Sequence, residues 1–112
     1  MNFKIKSRVW IELDGNVLLG EGRARLLDAI DTTGSLSKAA KQQGISYKKA
    51  WEMVRAINQS SPTAVVIKSA GGVGGGGTVL TVYGEDLLKT YKEINQSCWD
   101  HLDNEVTKLN SL

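Results

Sequence analysis

Glycine dominates one short segment, in which six of the seven residues 71–77 are glycine. Gly72, Gly74 and Gly77 have the spacing G-x-G-x-x-G, whose backbone N–H groups bind the pyrophosphate of a dinucleotide. That chemistry needs a strand before the glycines and a helix directly after them. Here a run rich in β-branched residues follows the glycines, so the pattern does not predict a dinucleotide site.

The same glycines match half of the phosphate loop G-x-x-x-x-G-K-[ST], with Gly71, Gly76 and Thr78 in the required positions. Gly77 stands where that loop has its lysine, and again no helix follows. The sequence context therefore disfavours both nucleotide-phosphate interpretations. Two others stay open: a flexible linker, or the tip of a β-hairpin whose bare backbone can approach a phosphate closely.

Cys98 and His101 have the spacing C-x-x-H, which is a fragment of a zinc site. The chain contains one cysteine and one histidine, so no further thiol or imidazole exists to complete such a site. The same scarcity leaves no credible Ser-His-Asp or Cys-His arrangement. We therefore expect no enzyme activity, no metal and no cofactor, and we interpret Cys98 as buried or as part of a dimer contact.

Positive charge is concentrated in residues 38–55, although the whole chain carries a formal net charge of only +2. The segment contains one acidic residue, Glu52, and five basic residues, namely Lys38, Lys41, Lys48, Lys49 and Arg55. Such a cluster favours an anionic partner, with a solvated lysine-rich helix face as the alternative. Lysine side chains suit DNA phosphates or the acceptor atoms of guanine.

The N-terminal part is predicted to be a β-hairpin followed by a helix. Phe3–Leu13 alternates apolar and polar residues, Asp14-Gly15 is a strong turn signal, and Asn16–Leu19 is a short return strand. Glu21–Thr33 has the pattern of a helix that ends at Gly34 as its C-cap. Its inward face is formed by Ala24, Leu26, Leu27 and Ile30.

Residues 35–59 have the pattern of two helices joined at a glycine, which is typical of a helix-turn-helix. Ser35 or Ser37 is the N-cap of the first, short helix, Gly44 ends it, and Ser46 caps the second. The second helix has an apolar face at i, i+3, i+4, i+7 and i+10, formed by Tyr47, Ala50, Trp51, Val54 and Ile57.

Two β-branched runs, Val65–Lys68 and Thr78–Val82, enclose the glycines and favour a hairpin over a linker. A hairpin beside a helix-turn-helix is a wing, whose glycine amides can contact DNA phosphates. Gly84–Leu109 then reads as one long helix with an apolar stripe that a small domain does not fully cover.

With these elements in place, the chain resembles the N-terminal DNA-binding domain of a known family, the molybdate-dependent transcriptional regulators called ModE. The matching motifs are "TGSLSKAAKQQGISYKKAW" (Thr33–Trp51), "GGVGGGGTVLTVYGEDLL" (Gly71–Leu88) and "RARLLDAI" (Arg23–Ile30). The resemblance covers roughly residues 19–94. It implies a mainly α (α+β) winged helix-turn-helix, related to the LysR-type DNA-binding domain, with an N-terminal β-hairpin, a glycine-rich wing and a long C-terminal helix.

Residue types and the resemblance together predict the residues that contact DNA. They are Ser35, Ser37, Lys38, Ser46, Tyr47, Lys48, Lys49, Glu52, Arg55, Lys68, Gly74, Gly75, Gly76 and Thr78. For Tyr47, packing in the core is an equal alternative to a phosphate hydrogen bond, and we expect Trp51 to be buried. Glu52 accepts a hydrogen bond from cytosine, repels wrong placements on DNA, or pairs with Lys48 or Arg55.

Two features depart from the family pattern. Val73 occupies a wing position at which family members usually have a basic residue. The full regulators also carry C-terminal molybdate-binding domains, whereas this sequence stops at Leu112. We therefore expect no molybdate binding without such a domain, and either a stand-alone DNA-binding module or an effector domain that was cut away or lies on another chain.

We expect one domain over residues 1–112, with a β-hairpin at 1–19, the first helix and the helix-turn-helix at 21–62, the wing at 64–82 and a dimerisation helix at 84–110. The resemblance implies a homodimer that binds double-stranded DNA at an inverted repeat. The lone cysteine and the lack of a secretory or membrane-spanning segment predict a cytoplasmic protein without a membrane partner. The alternatives are a protein-interaction module that has lost DNA binding and, more remotely, a nucleotide-dependent enzyme.

Overall fold

The computed structural model describes residues 2–69 and 77–112, which form four helices and two antiparallel hairpins. In chain order the elements are β1 (Ile11–Leu13), β2 (Asn16–Leu19), α1 (Glu21–Thr33), α2 (Leu36–Gln42), α3 (Tyr47–Ser60), β3 (Val66–Lys68), β4 (Thr78–Leu80) and α4 (Val82–Asn110). This architecture confirms the predicted mainly α winged helix with a long C-terminal helix. None of the helices among the described residues combines the length with the apolar content that a membrane-spanning segment requires.

The N-terminal hairpin is shorter than predicted. Asp14 and Gly15 form its turn with φ angles of 52° and 84°, and β1 pairs with β2 in the register that this turn sets. Gly20 is the N-cap of α1, so β2 ends after four residues and residues 2–10 have no strand to pair with. The prediction of a strand upstream of Ile11 was therefore wrong.

Residues 2–10 instead lie along α4. The Tyr91 hydroxyl donates a hydrogen bond to the Val9 carbonyl at 2.8 Å. Lys4 Nζ lies 2.6 Å from a carboxylate oxygen of Asp103 and 5.4 Å from the centre of the Trp99 ring. These contacts attach the start of the chain to two successive parts of the long helix.

Two serine caps and a glycine with positive φ build the helix-turn-helix. Ser35 Oγ and Ser46 Oγ each accept the backbone N–H three residues later, at 3.1 Å and 3.0 Å, where α2 and α3 begin. Gly44, with φ of 68°, follows the end of α2. Ser37, the alternative N-cap, lies inside α2 with its side chain exposed.

The core lies around α1, which packs against α2, α3, α4, β2 and β4. Leu27 and Ile30 of α1 are fully buried, as are Ala50 and Ile57 of α3. Burial of their apolar surface is the main term that holds the helix-turn-helix together. The inner face of α3 is thus committed to the core, and its outer face is left to solvent.

α4 begins two residues before the predicted Gly84, because Thr81 is its N-cap. The Thr81 hydroxyl accepts the Gly84 N–H at 2.9 Å and donates to the Ala64 carbonyl at 2.6 Å. A Cβ atom on Gly84 would lie 2.2 Å from the Val65 carbonyl oxygen, so glycine is required at this contact. β4 is consequently two residues shorter than predicted, and the wing and the long helix are joined through a single capping residue.

Candidate nucleic-acid interface

The outer face of α3 presents the charged residues of the basic segment. Successive residues of a helix are separated by about 100°, so the side opposite buried Ala50 and Ile57 carries Lys48, Glu52 and Arg55. All three are exposed, and so is Lys49 on the flank. Because α3 begins directly after its N-cap Ser46, its exposed charged residues start in the first turn, with Lys48 and Lys49.

The basic side chains of this region lack acidic partners. The ion pairs among the described residues all lie elsewhere, and they join Lys4 to Asp103, Arg25 to Glu21, Lys92 to Asp28, and Glu105 to His101 and Lys108. Glu52 therefore pairs with neither Lys48 nor Arg55. Within residues 2–69 and 77–112, the five basic residues of the segment 38–55 have no carboxylate to neutralise them.

Two aromatic residues of α3 are exposed, contrary to one prediction. Trp51, expected in the core, is 46% exposed, and Tyr47, for which core packing was one alternative, is 57% exposed. The apolar face is centred on Ala50 and Ile57, and Trp51 lies about 100° around the helix from Ala50. It therefore lies at the edge of the buried face rather than within it, and its ring is available for contacts.

Tyr47 contributes to a notch of about 210 Å³ between the helix-turn-helix and the base of the wing. The notch is lined by Gly34, Ser35, Leu36, Ser37, Tyr47, Gly77 and Thr78. Four of the residues predicted to contact DNA, Ser35, Ser37, Tyr47 and Thr78, therefore line the same notch, and each of them carries a hydroxyl group. Residues of this type at one notch are suited to the oxygen atoms of one phosphate.

The base of the wing is fixed to the helix-turn-helix at this notch. The Thr78 N–H donates to the Gly34 carbonyl at 3.0 Å. Ser69 and Gly77 form two hydrogen bonds, one from the Ser69 N–H at 2.9 Å and one to the Ser69 hydroxyl at 2.8 Å. A Cβ on Gly77 would lie 2.5 Å from the Gly34 oxygen, so only glycine fits there.

The remaining predicted wing residues are placed as follows. Lys68 is exposed in β3, opposite Thr78 of β4. The predicted contacts of Gly74, Gly75 and Gly76 lie outside the described residues. Lys38 is exposed on α2. The structure thus brings Ser35, Ser37, Tyr47 and Thr78 together at the notch, and it places Lys48, Lys49, Glu52 and Arg55 on the adjoining outer face of α3.

Sequence reasoning missed Asn58, which joins α3 to the wing. Its side-chain oxygen accepts the N–H groups of Val65 and Val66 at 2.8 Å and 3.1 Å, and its amide nitrogen donates to the Val66 carbonyl at 2.9 Å. One side chain therefore sets where β3 begins relative to the recognition face. The sequence offers one signal for this role, a polar residue at the edge of the apolar face eight residues before β3.

The structure contains no candidate metal centre among the described residues. Cys98 is half-buried on α4, and His101 Nε2 lies 3.5 Å from a Glu105 oxygen. A hydrogen bond from Lys108 lowers the pKa of Glu105, which belongs to an exposed ion pair remote from α3. His101 of the C-x-x-H motif therefore lies beside the Glu105 carboxylate, but the described residues contain no cluster of three possible metal ligands.

The chain is similar to several transcriptional regulators. It is 41% identical over 91% of its length to the "DNA-binding transcriptional dual regulator ModE" of Escherichia coli, and 39% identical over 90% to the "Molybdenum transport protein ModE" of Azotobacter vinelandii. It is also 47% identical over 68% of its length to the "Molybdenum-pterin-binding protein MopB" of Rhodobacter capsulatus.

The match covers only part of these relatives. The chain spans about 40% of the length of the two ModE proteins and 28% of MopB. No protein-family model matches the chain. The identity of about 40% along nine-tenths of the chain, together with the winged helix, makes the chain similar to one part of the ModE proteins and is consistent with a ModE-family N-terminal domain only.

Proposed function

We propose that this chain is the DNA-binding part of a transcriptional regulator and that it binds an inverted-repeat site as a homodimer. The observation that carries the proposal is the outer face of α3, whose exposed basic side chains have no acidic partner in the described part of the chain. Duplex DNA, with one negative charge per about 1.7 Å of its axis, supplies the missing counter-charge. Since genomic DNA is the ligand, we place the protein in the cytoplasm.

In this proposal α3 lies in the major groove and its N-terminal residues read base edges. Lys48 and Lys49 bind guanine acceptors or phosphates, and Glu52 accepts a hydrogen bond from cytosine. Glu52 is free for this role because neither Lys48 nor Arg55 pairs with it. Lys38 and Lys68, exposed on α2 and on β3, bind phosphates on either side of the recognition helix.

The notch between α2, α3 and the wing base binds one backbone phosphate in this proposal. Ser37, Tyr47 and Thr78 supply hydroxyl donors, and the notch adjoins the first turn of α3. Phosphate contacts of this type set the register of a protein on the duplex without reading sequence. The notch would therefore align the recognition helix, whereas Lys48, Lys49 and Glu52 would read the bases.

A second copy of the chain covers the apolar stripe of α4 in this proposal. Ile94 is 46% exposed, and the half-buried residues further along the stripe are Cys98, Leu102, Val106 and Leu109. A helix of 29 residues is about 43 Å long, and its C-terminal half extends beyond the packed core. Apolar stripes of such helices are usually buried against a partner helix. Two-fold symmetry then makes the DNA site an inverted repeat.

Selection of genomic DNA fragments by the purified protein at near-physiological salt, followed by sequencing, tests the proposal. We expect enrichment of an inverted repeat whose half-sites are centred about 10 base pairs apart or at a multiple of that distance. Retention of DNA without any enriched sequence would contradict sequence-specific recognition. Absence of retention even at low salt would overturn the proposal and favour a protein-interaction module.

A further inference from the structure

We infer that Trp51, held together with Arg55, forms an apolar contact with thymine methyl groups in the major groove and thereby determines part of the sequence specificity. This inference rests on the proposed function, because it assigns a ligand to one part of the same interface. It concerns a residue that helical spacing places in the core and that the structure places at the surface.

Trp51 lies on the side of α3 that faces the wing. Asn58, two turns further along and about 20° away around the helix, is hydrogen-bonded to β3 and marks that side. Trp51 and Arg55 line an open groove of about 450 Å³ together with Val54, Asn58 and Gln59. All five residues belong to α3, and Arg55 is also part of the basic outer face, so the groove adjoins that face on the side of α3 that Asn58 joins to the wing.

Arg55 is positioned by the aromatic ring and not by a carboxylate. Its guanidinium carbon lies 5.5 Å from the centre of the Trp51 ring, a distance at which cation–π attraction operates. Arg55 has no ion pair within residues 2–69 and 77–112. The pair therefore combines a large apolar surface with a positive charge that is free to reach a guanine or a phosphate.

Thymine is the base that matches this surface. Among the groups that base edges display in the major groove, the C5-methyl of thymine is the apolar one, and the others are hydrogen-bond donors or acceptors. Trp51 and Val54 cannot satisfy donors or acceptors with their apolar atoms, whereas burying a methyl group against them is favourable. The surrounding lysines favour DNA over an apolar protein surface as the occupant of the groove.

Replacing each thymine of a selected site by deoxyuridine, which removes only the methyl group, tests the inference. For the wild-type protein, we expect one or two positions per half-site at which the substitution weakens binding about three- to fivefold. For Trp51→Gln, we expect the same duplexes to bind with equal affinity. Trp10→Gln is the matched control, since Trp10 is 56% exposed and directly precedes β1, and this variant must discriminate as the wild type does.

The outcomes separate this inference from the proposed function. If the wild-type protein binds the selected site but no deoxyuridine weakens binding, or if Trp51→Gln still discriminates, the inference is wrong and the proposed function stands. If the wild-type protein binds no DNA, both the inference and the proposed function are wrong. A variant that fails to fold is replaced by photo-crosslinking of wild-type protein to duplexes carrying 5-bromouracil, where a crosslink to a residue outside the pair Trp51 and Arg55 overturns the inference.

Discussion

Tyr91 connects the long helix to the start of the chain through one hydrogen bond. Its ring is buried, and its hydroxyl donates to the Val9 carbonyl at 2.8 Å. Burial raises the pKa of this phenol, nearby Glu21 raises it further, and Arg25 partly opposes the effect. The neutral form is thus favoured by folding, and the stability that it contributes depends on pH.

For Tyr91→Phe we expect a loss of about 1 kcal/mol in the free energy of unfolding near neutral pH, because the ring stays and one hydrogen bond goes. The folded-state pKa lies above the unfolded value of 10.0, so the contribution of Tyr91 is complete below pH 10 and is lost as pH rises through the folded pKa. Urea unfolding of both proteins at pH 8 and about pH 11 should show the difference shrinking at high pH. A constant difference would contradict this account.

Single lysines of the interface should differ in their effect on DNA binding. We expect Lys49→Ala to weaken binding several-fold and to reduce the salt dependence by about one released counterion, with a smaller effect for Lys38→Ala. Titration of a selected duplex at several salt concentrations measures both quantities. Lys89→Ala on α4 removes the same charge from another exposed position and serves as control. Unchanged affinity and salt slope for Lys49→Ala would mean that α3 is oriented wrongly in the proposal.

At the scale of elements, hydrogen bonds to the backbone of the wing base join it to α3, to the α1–α2 turn and to α4. Asn58 supplies three of these hydrogen bonds, and Thr81 joins the wing to the first turn of α4. Each of these hydrogen bonds has a backbone group of residues 64–66 as one partner. The relative positions of the wing and the recognition helix therefore depend on a small number of residues.

For Asn58→Ala we expect destabilisation by about 2 kcal/mol, because two N–H groups and one carbonyl lose their partner in a partly buried place. DNA affinity at a temperature where the protein stays folded should fall as well, since the wing and α3 no longer share a fixed base. Thermal unfolding and duplex titration measure the two effects. Gln59→Ala, the exposed neighbour on the same helix, should leave the stability unchanged.

Two glycines at similar positions in α1 and α4 should respond oppositely to alanine. Gly22 has no atom within 4 Å of a Cβ position, so Gly22→Ala should stabilise α1 by up to about 1 kcal/mol. Gly84→Ala should destabilise by about 1–3 kcal/mol, because its Cβ would overlap the Val65 carbonyl. Thermal unfolding of both variants gives the signs. A stabilised Gly84→Ala protein would show that α4 is not packed against Val65.

Local signals in the sequence predicted the elements well wherever the chemistry is local. Asp14-Gly15 determined the first turn, Ser35 and Ser46 determined the starts of α2 and α3, and Gly34 ended α1. The errors arose where the end of an element depends on a contact with another element. β1 is short because β2 is short, and Val82, predicted to end a strand, belongs to α4 because Thr81 caps that helix.

The sequence predicted the exposure of residues in the middle of each face of α3, but not that of residues at the edge of the apolar face. The charged residues of α3 point outward because the opposite face is apolar, and this follows from helical spacing alone. Whether a residue at the edge of that face is buried depends on how closely the neighbouring elements approach it. Trp51 was misplaced for this reason, and Asn58 was missed because its partners are backbone groups of β3.

At the scale of the whole molecule, the fold is extended, with principal dimensions of 63 × 30 × 22 Å. Much of that length is α4, whose C-terminal half leaves apolar side chains half-buried at best. A single copy has no element in the described part that packs over Ile94, which stays 46% exposed. The proposed homodimer would cover this face.

We expect sedimentation at tens of micromolar to give a dimer for the wild-type protein and a monomer for Ile94→Glu, because a carboxylate in an apolar seam is costly to bury. Gln96→Glu adds the same charge about 160° away around α4 and should remain a dimer. Binding of the inverted repeat should be lost with dimerisation, and binding of a single half-site should be kept. A monomeric wild type would contradict the dimer proposal.

The three tryptophans lie in three different parts of the molecule: Trp10 in the hairpin region, Trp51 on the recognition helix and Trp99 in the middle of α4. Indole emission depends on local polarity and on nearby quenchers, so each ring reports optically on its own neighbourhood. A protein that keeps only Trp51 would report on DNA docking, and one that keeps only Trp99 would report on events along α4. The chain therefore carries native fluorescent labels with which the order of dimerisation and DNA binding can be followed in real time.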